Sequence, residues 1–290
     1  LQAGGTPRKG AGFAEMVRDV VSAKKADPEF AAQIVLLPSE QAIAQIIGND
    51  VDVNAIHDAR EILRASIATD AKDVLLDCYN RMEVKARYSP DAEQAGRRAL
   101  RNACLAYLAV APGGDGVALA AEQFRRADNM TDKIAALTVL SNIDCKEREE
   151  ALAAFHDQWK GDHLVMDKWF TIQALSYLPA TLTEVKRLTG HPAFTMKNPN
   201  KVRALIGSFA NANQLRFHEA KGAGYRFVAD KVLELDGLNP QVAARMLGAF
   251  KSWRQMEPKR RKLMQAELKR IAGTEGLSRD VFEIASKTLA

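Results

Sequence analysis

The strongest constraint on this chain is how often its sequence stops and restarts a helix. Asp27-Pro28, Ser89-Pro90, Asn198-Pro199 and Asn239-Pro240 each set a short side-chain acceptor before a proline. A helix start favours that pair. The acceptor caps an orphan N–H, and proline at the first helical position lacks a donor that would have no partner there. Between such signals apolar residues recur at spacings of three and four, as in Ile56, Ala59, Ile62, Leu63 and Ile67, the stripe of a helix with one buried face. Ser39 is read as opening 40–47, which Gly48 closes, and Thr131 as capping 132–140. Further helices are expected over 70–82, from Ser89-Pro90 through Leu108, and over 147–159, 163–177 and 183–188, with Ser278 capping the last.

No segment alternates with period two and β-branched enrichment, so the expected class is all-α. Helices of this length cannot each bury a face alone. Antiparallel hairpins stacked into an irregular superhelical array, a two-layer α-solenoid of HEAT or armadillo kind, solve that problem. No internal consensus repeat is visible. Residues 1–12 hold four glycines, a proline and Arg8-Lys9 without apolar periodicity, and read as a flexible lead-in or truncated linker. That leaves 13–290 as a single helical domain.

Composition serves mainly to exclude. With 47% hydrophobic residues in 290, disorder is not expected. Cys78, Cys104 and Cys145 make an odd count with no C-x-x-C, so they read as buried thiols of a reducing compartment. The longest apolar runs, such as 34–37, fall far below the roughly 18 residues a membrane span needs. No charged-then-apolar leader opens the chain. A cytoplasmic location without membrane contact is the expectation.

Catalytic signatures are missing. The histidines are His57, His156, His163, His191 and His218. His218-Glu219-Ala220-Lys221-Gly222 begins like a zinc helix but puts glycine where the second histidine must stand, so His218 reads as a surface or helix-end residue. Gly222 and Gly224 follow no strand and read as the joint between two helices rather than a phosphate loop. Met166, Trp169, Phe170 and Ile172 on one helix, with Phe194 and Met196 before the next, read as core. Between Lys251 and Arg270 stand eight basic residues against Glu257 and Glu267. Such a block can meet phosphates, but with no interleaved aromatic except Trp253 and no recognition motif it reads as a solvated helical face, and nucleic acid is not expected as a partner.

Several ungapped blocks carry a family resemblance: 100–105 (Leu-Arg-Asn-Ala-Cys-Leu), 129–132 (Asn-Met-Thr-Asp), 164–170 (Leu-Val-Met-Asp-Lys-Trp-Phe), 194–200 (Phe-Thr-Met-Lys-Asn-Pro-Asn) and 239–243 (Asn-Pro-Gln-Val-Ala). In this order they resemble the C-terminal helical domain of bacterial aminopeptidase N, the zinc-dependent alanyl aminopeptidase family. The resemblance covers about 13–290. It implies a non-catalytic domain whose partner is the catalytic domain of the same polypeptide, with the zinc held there and no cofactor in this chain. H-E-x-x-H and G-A-M-E-N do not occur here, so the chain alone is expected to be inactive. The family's helical domain closes over the catalytic cleft, and peptides reach the metal through an internal cavity. By resemblance, Arg203 and Arg245 match arginines that face the peptide, and Gln241 matches a glutamine near the subsite for the first side chain. The alternative is a free-standing α-solenoid that binds a protein or RNA partner.

Overall fold

The structure is a computed structural model and describes residues 11–113 and 115–290. Of the lead-in read over 1–12, only Ala11 and Gly12 are among them, and they open the first helix, Ala11–Ser22. Among the described residues every regular element is helical. The nearest thing to a sheet is an isolated parallel bridge between Val51 and Met256, made by Val51 N–H to the Gln255 carbonyl (2.8 Å) and Glu257 N–H to the Val51 carbonyl (3.2 Å). The all-α expectation holds.

The chain divides into two compact units. The first comprises residues 11–39 and His57–Ala154. Its centre is the Ala92–Leu108 helix, which packs on Pro28–Val35, Lys72–Arg81 and Met130–Leu140. Gly116–Arg126 pairs with Met130–Leu140 as a hairpin. Leu100, Cys104, Leu105, Tyr107 and Leu108 are the buried stripe of the central helix. Of the three thiols read as buried, Cys78 and Cys104 are so, whereas Cys145 is only half-buried. Its neighbour comes so close that a Cβ on Gly96 would lie 3.0 Å from the backbone nitrogen of Glu29, so a side chain there would force the two helices apart.

The second unit comprises Glu40–Ile56 and Phe155–Ala290. Ala223–Asp236 packs on Pro240–Met246 and on Pro258–Ala272, which in turn pairs with Arg279–Leu289. His163–Ala174 packs on the run 199–212. Phe209, Phe217, Tyr225 and Phe250 are fully buried and meet edge to face or tilted, with centroids 5.2 to 6.4 Å apart. Burying each such ring contributes about 3 kcal/mol before side-chain entropy is charged against it. Gly224 is required here: a Cβ would lie 2.4 Å from the Phe217 carbonyl oxygen.

The capping logic holds at most starts and shifts at two. Asp27, Asn198, Asn239 and Ser278 accept from the N–H of Phe30, Asn200, Val242 and Val281. The 92–108 helix is capped by Asp91, not Ser89, through Gln94 N–H at 2.9 Å. Asn129, not Thr131, caps Met130–Leu140 through Asp132 N–H at 2.9 Å. In both cases the stronger acceptor lies within two residues of the expected one.

Candidate functional site

The residues expected to face a peptide all lie in the second unit. Asn198 and Pro199 start a helix that continues only to Val202, after which Arg203–Gly207 forms a π turn and Ser208–Ala212 resumes the α-helix. A π turn shifts the hydrogen-bond ladder by one residue and leaves carbonyls to be satisfied from outside. The Thr171 hydroxyl donates to the Ala204 carbonyl at 3.0 Å, and the Ser208 hydroxyl to the Arg203 carbonyl at 3.3 Å. Arg203 opens that turn. It is exposed, and its guanidinium donates to Asn200 Oδ1 at 2.8 Å.

Gln241 and Arg245 lie on Pro240–Met246, four residues apart and so on one face, and both are exposed. Among the described residues neither side chain has a hydrogen-bond partner. The structure brings these two together on one helix. It places Arg203 on a separate run whose main packing partner is His163–Ala174, whereas Pro240–Met246 packs on Ala223–Asp236 and Arg279–Leu289.

Beneath Arg203 the run is pinned by charge. The Lys201 ammonium, on a side chain only 4% exposed, donates to Asp167 Oδ1 at 2.7 Å and to the His163 carbonyl at 2.6 Å. Met166, Trp169, Phe170, Ile172 and Phe194 are buried, as the core reading expects, whereas Met196 is only half-buried. Phe170 meets Phe194 edge-on at 6.0 Å, and His191 stands edge-on to both His156 and Phe170. Burial, then the neighbouring His156 and Arg187, hold the His191 pKa below its ordinary value.

Two further expectations change. His218 is at a helix end but not at the surface: it is 2% exposed, its Nδ1 is 2.9 Å from the Tyr225 hydroxyl, and it lies against Phe217. Burial, with Arg260 adding to it, lowers its pKa to about 3, so the ring is neutral. The basic block 251–270 is solvated at Lys251, Arg254, Lys259, Lys262, Lys269 and Arg270, but not at Arg260, and several of its charges are engaged. Arg254 donates to the carbonyls of Thr288 and Leu289, Arg261 pairs with Asp50, and Arg270 pairs with Asp230 and Glu267. Arg260 is buried and binds Asn54, Glu257 and the His218 carbonyl.

The sequence reading did not anticipate a polar cavity of about 360 Å³ in the first unit, lined by Tyr79, Glu83, Arg98, Arg101, Asp128 and Asp132 among others. Its floor is a closed amide network. The Tyr79 hydroxyl donates to Gln123 Oε1, and Gln123 Nε2 to Asn102 Oδ1. Asn102 and Asn129 each donate to the Asp132 carboxylate. Burial raises the Tyr79 pKa against the opposing pull of Arg101. The available signal was Arg98-x-x-Arg101, two arginines on one face of the central helix. Among the described residues no three or more His, Cys, Asp or Glu side chains are grouped to hold a metal ion, so a zinc site does not fit here. No single helix among them is long and apolar enough to cross a membrane.

The profile of the family described as "Domain of unknown function (DUF3458_C) ARM repeats" matches residues 2–290. The chain belongs to that family. Stacked helices are what ARM repeats are made of, in keeping with the hairpins within each unit. The chain is also 42% identical over 264 residues to aminopeptidase N of Caulobacter vibrioides, covering 91% of this chain and 30% of that protein. To aminopeptidase N of Escherichia coli it is 38% identical over 279 residues, covering 96% of this chain and 32% of that one. Among solved structures it is similar to Legionella pneumophila aminopeptidase A in complex with aspartic acid, with TM-score 0.90 and 30% identity over 99% of this chain and 34% of the other. The chain thus spans about a third of the length of these relatives. The resemblance carried by the sequence blocks is borne out.

Proposed function

We propose that this chain is the C-terminal helical domain of a cytoplasmic zinc aminopeptidase N that removes N-terminal residues from peptides. On this reading it closes the catalytic cleft and lines the peptide-access cavity without supplying a catalytic group. The observation that carries it is the match of nearly the whole chain to about a third of two aminopeptidases N, joined to a TM-score of 0.90 against an aminopeptidase structure. The three cysteines are free thiols, in keeping with a reducing compartment. The zinc ligands belong to the remainder of the polypeptide, and no chemical step is assigned to this chain.

Its own contribution is to hold the peptide. A guanidinium keeps its charge at any physiological pH and presents donors in a fixed plane, so Arg203 and Arg245 suit peptide carbonyls or a C-terminal carboxylate. Arg245 has no carboxylate partner among the described residues, and Arg203 is held only by Asn200. Gln241, one turn before Arg245, offers a neutral donor and acceptor to an uncharged side chain.

The test is Arg203→Ala, Gln241→Ala and Arg245→Ala in the full-length polypeptide, assayed on alanyl peptides of increasing length. Loss of a contact made equally in ground and transition states raises KM and leaves kcat nearly unchanged. The expected rise in KM for the arginine variants is about tenfold, the equivalent of one charge-assisted hydrogen bond, and grows with peptide length. Unchanged peptide kinetics in both arginine variants would contradict the cavity role.

A further inference from the structure

The polar cavity of the first unit carries charges that the protein leaves unfinished. Arg98 and Arg101 are three residues apart on the central helix, so their side chains leave the same face. Each guanidinium lies on a tyrosine ring, Arg98 at 4.9 Å from the centroid of Tyr88 and Arg101 at 4.3 Å from that of Tyr79. Arg98 is only 4% exposed, yet its acceptors are neutral: Gln94 Oε1 at 3.2 Å and the Ser89 carbonyl at 3.0 Å. Arg101 donates through Nε to the Tyr79 carbonyl at 3.3 Å, and its guanidinium also acts on the Tyr79 hydroxyl. Neither arginine makes a direct ion pair with a carboxylate among the described residues, although the Asp91 carboxylate acts on Arg98 through space.

Of the carboxylates that line the same cavity, Glu122 is paired with Arg125 and Arg126, whereas two others stay unpaired. Glu83 and Asp128 form no ion pair with any cation among the described residues, and Asp128 accepts one hydrogen bond, from Asn129 at 3.0 Å. Asp132, 7% exposed, is already satisfied by Asn102 and Asn129 and belongs to the floor. Both signs of charge thus face one space of about 360 Å³ without neutralising each other across it. A volume near the bottom of the roughly 300–1,000 Å³ range of small-molecule sites suits a compact solute.

We infer that this cavity binds a small zwitterion, an α-amino acid or dipeptide, with its carboxylate on Arg98 and Arg101 and its ammonium toward Glu83 and Asp128. The arginine pair, flanked by aromatic rings, offers parallel N–H donors to a planar carboxylate. The carboxylates then discriminate against a simple oxyanion, which they repel, and in favour of a ligand that brings its own cation. The inference stands on the cavity alone and does not depend on the aminopeptidase reading.

The test is calorimetric titration of the chain with alanyl-alanine, N-acetylalanine, which lacks the ammonium, and alaninamide, which lacks the carboxylate. The expected result is saturable millimolar binding of alanyl-alanine and at least tenfold weaker binding of both blocked compounds. Arg101→Gln and, independently, Glu83→Gln should each weaken alanyl-alanine binding at least tenfold while circular dichroism stays unchanged. No saturable binding, equal binding of N-acetylalanine, or full affinity in both variants would overturn the assignment.

Discussion

In the second unit buried cations are closed off by carboxylates, whereas in the first they face a cavity. Lys201 is held by Asp167, and Arg260 by Glu257 together with Asn54 and a backbone carbonyl. Arg98 is as deeply buried as either, but its hydrogen-bond acceptors are neutral oxygens and Asp91 acts on it only through space, while the half-buried Arg101 meets only the carbonyl and side chain of Tyr79 among the described residues. Desolvating a charge must be compensated. A carboxylate does this and completes the group, while carbonyl oxygens do it in part and leave charge for whatever enters the cavity. The surface residues expected to meet a peptide, Arg203, Gln241 and Arg245, are a third case: exposed and almost unengaged.

The comparison can be broken most forcefully at the closed pair. Asp167→Ala leaves the Lys201 ammonium in the interior with one carbonyl, and urea unfolding should show a loss of about 3 kcal/mol. A loss below about 1 kcal/mol would mean the pair is not the pin described. In the first unit, Asp132→Ala strands the carboxamide donor of Asn102 and leaves Asn129 with Asp128 alone, and the expected loss is about 2 kcal/mol by the same measurement.

A pH effect is expected from the second unit. His218 has an ordinary pKa of 6.5 and a folded value of about 3, so below pH 6.5 the unfolded chain binds a proton that the folded chain refuses. Its contribution to stability is therefore full above pH 6.5 and is lost as pH falls toward 3, at up to about 1.4 kcal/mol per pH unit. Unfolding curves of the wild type and His218→Gln between pH 4 and 7 should differ by that slope, and parallel curves would contradict the buried neutral ring. The smallest effect is expected at the surface: Arg245→Ala should change stability by no more than about 0.5 kcal/mol in urea, because its side chain has no partner to lose among the described residues.

Much of the fold was legible locally. Asp27, Asn198, Asn239 and Ser278 cap helices where their spacing says they should, because a cap is decided within three residues. The misassigned caps at Ser89 and Thr131 lost to Asp91 and Asn129, both close neighbours in sequence. What lay hidden depends on partners far along the chain. Arg260 looked like one charge of a solvated block because its ligand Asn54 is 206 residues away. His218 looked exposed because Tyr225 and Arg260 enclose it only after folding. The π turn at Arg203–Gly207 answers to Thr171, which no local pattern announces. The cavity was illegible for the same reason: Arg98 and Arg101 share a helix, but Tyr79, Glu83 and Asp128 come from outside it.

That this chain is the helical domain of an aminopeptidase is tested by mixing it with the separately produced remainder of such a polypeptide and following complex formation and hydrolysis of an alanyl substrate, with the chain plus zinc as control. The predicted result is a complex with altered hydrolysis and no activity in the control. Absence of a complex, or activity of the chain alone, would contradict it.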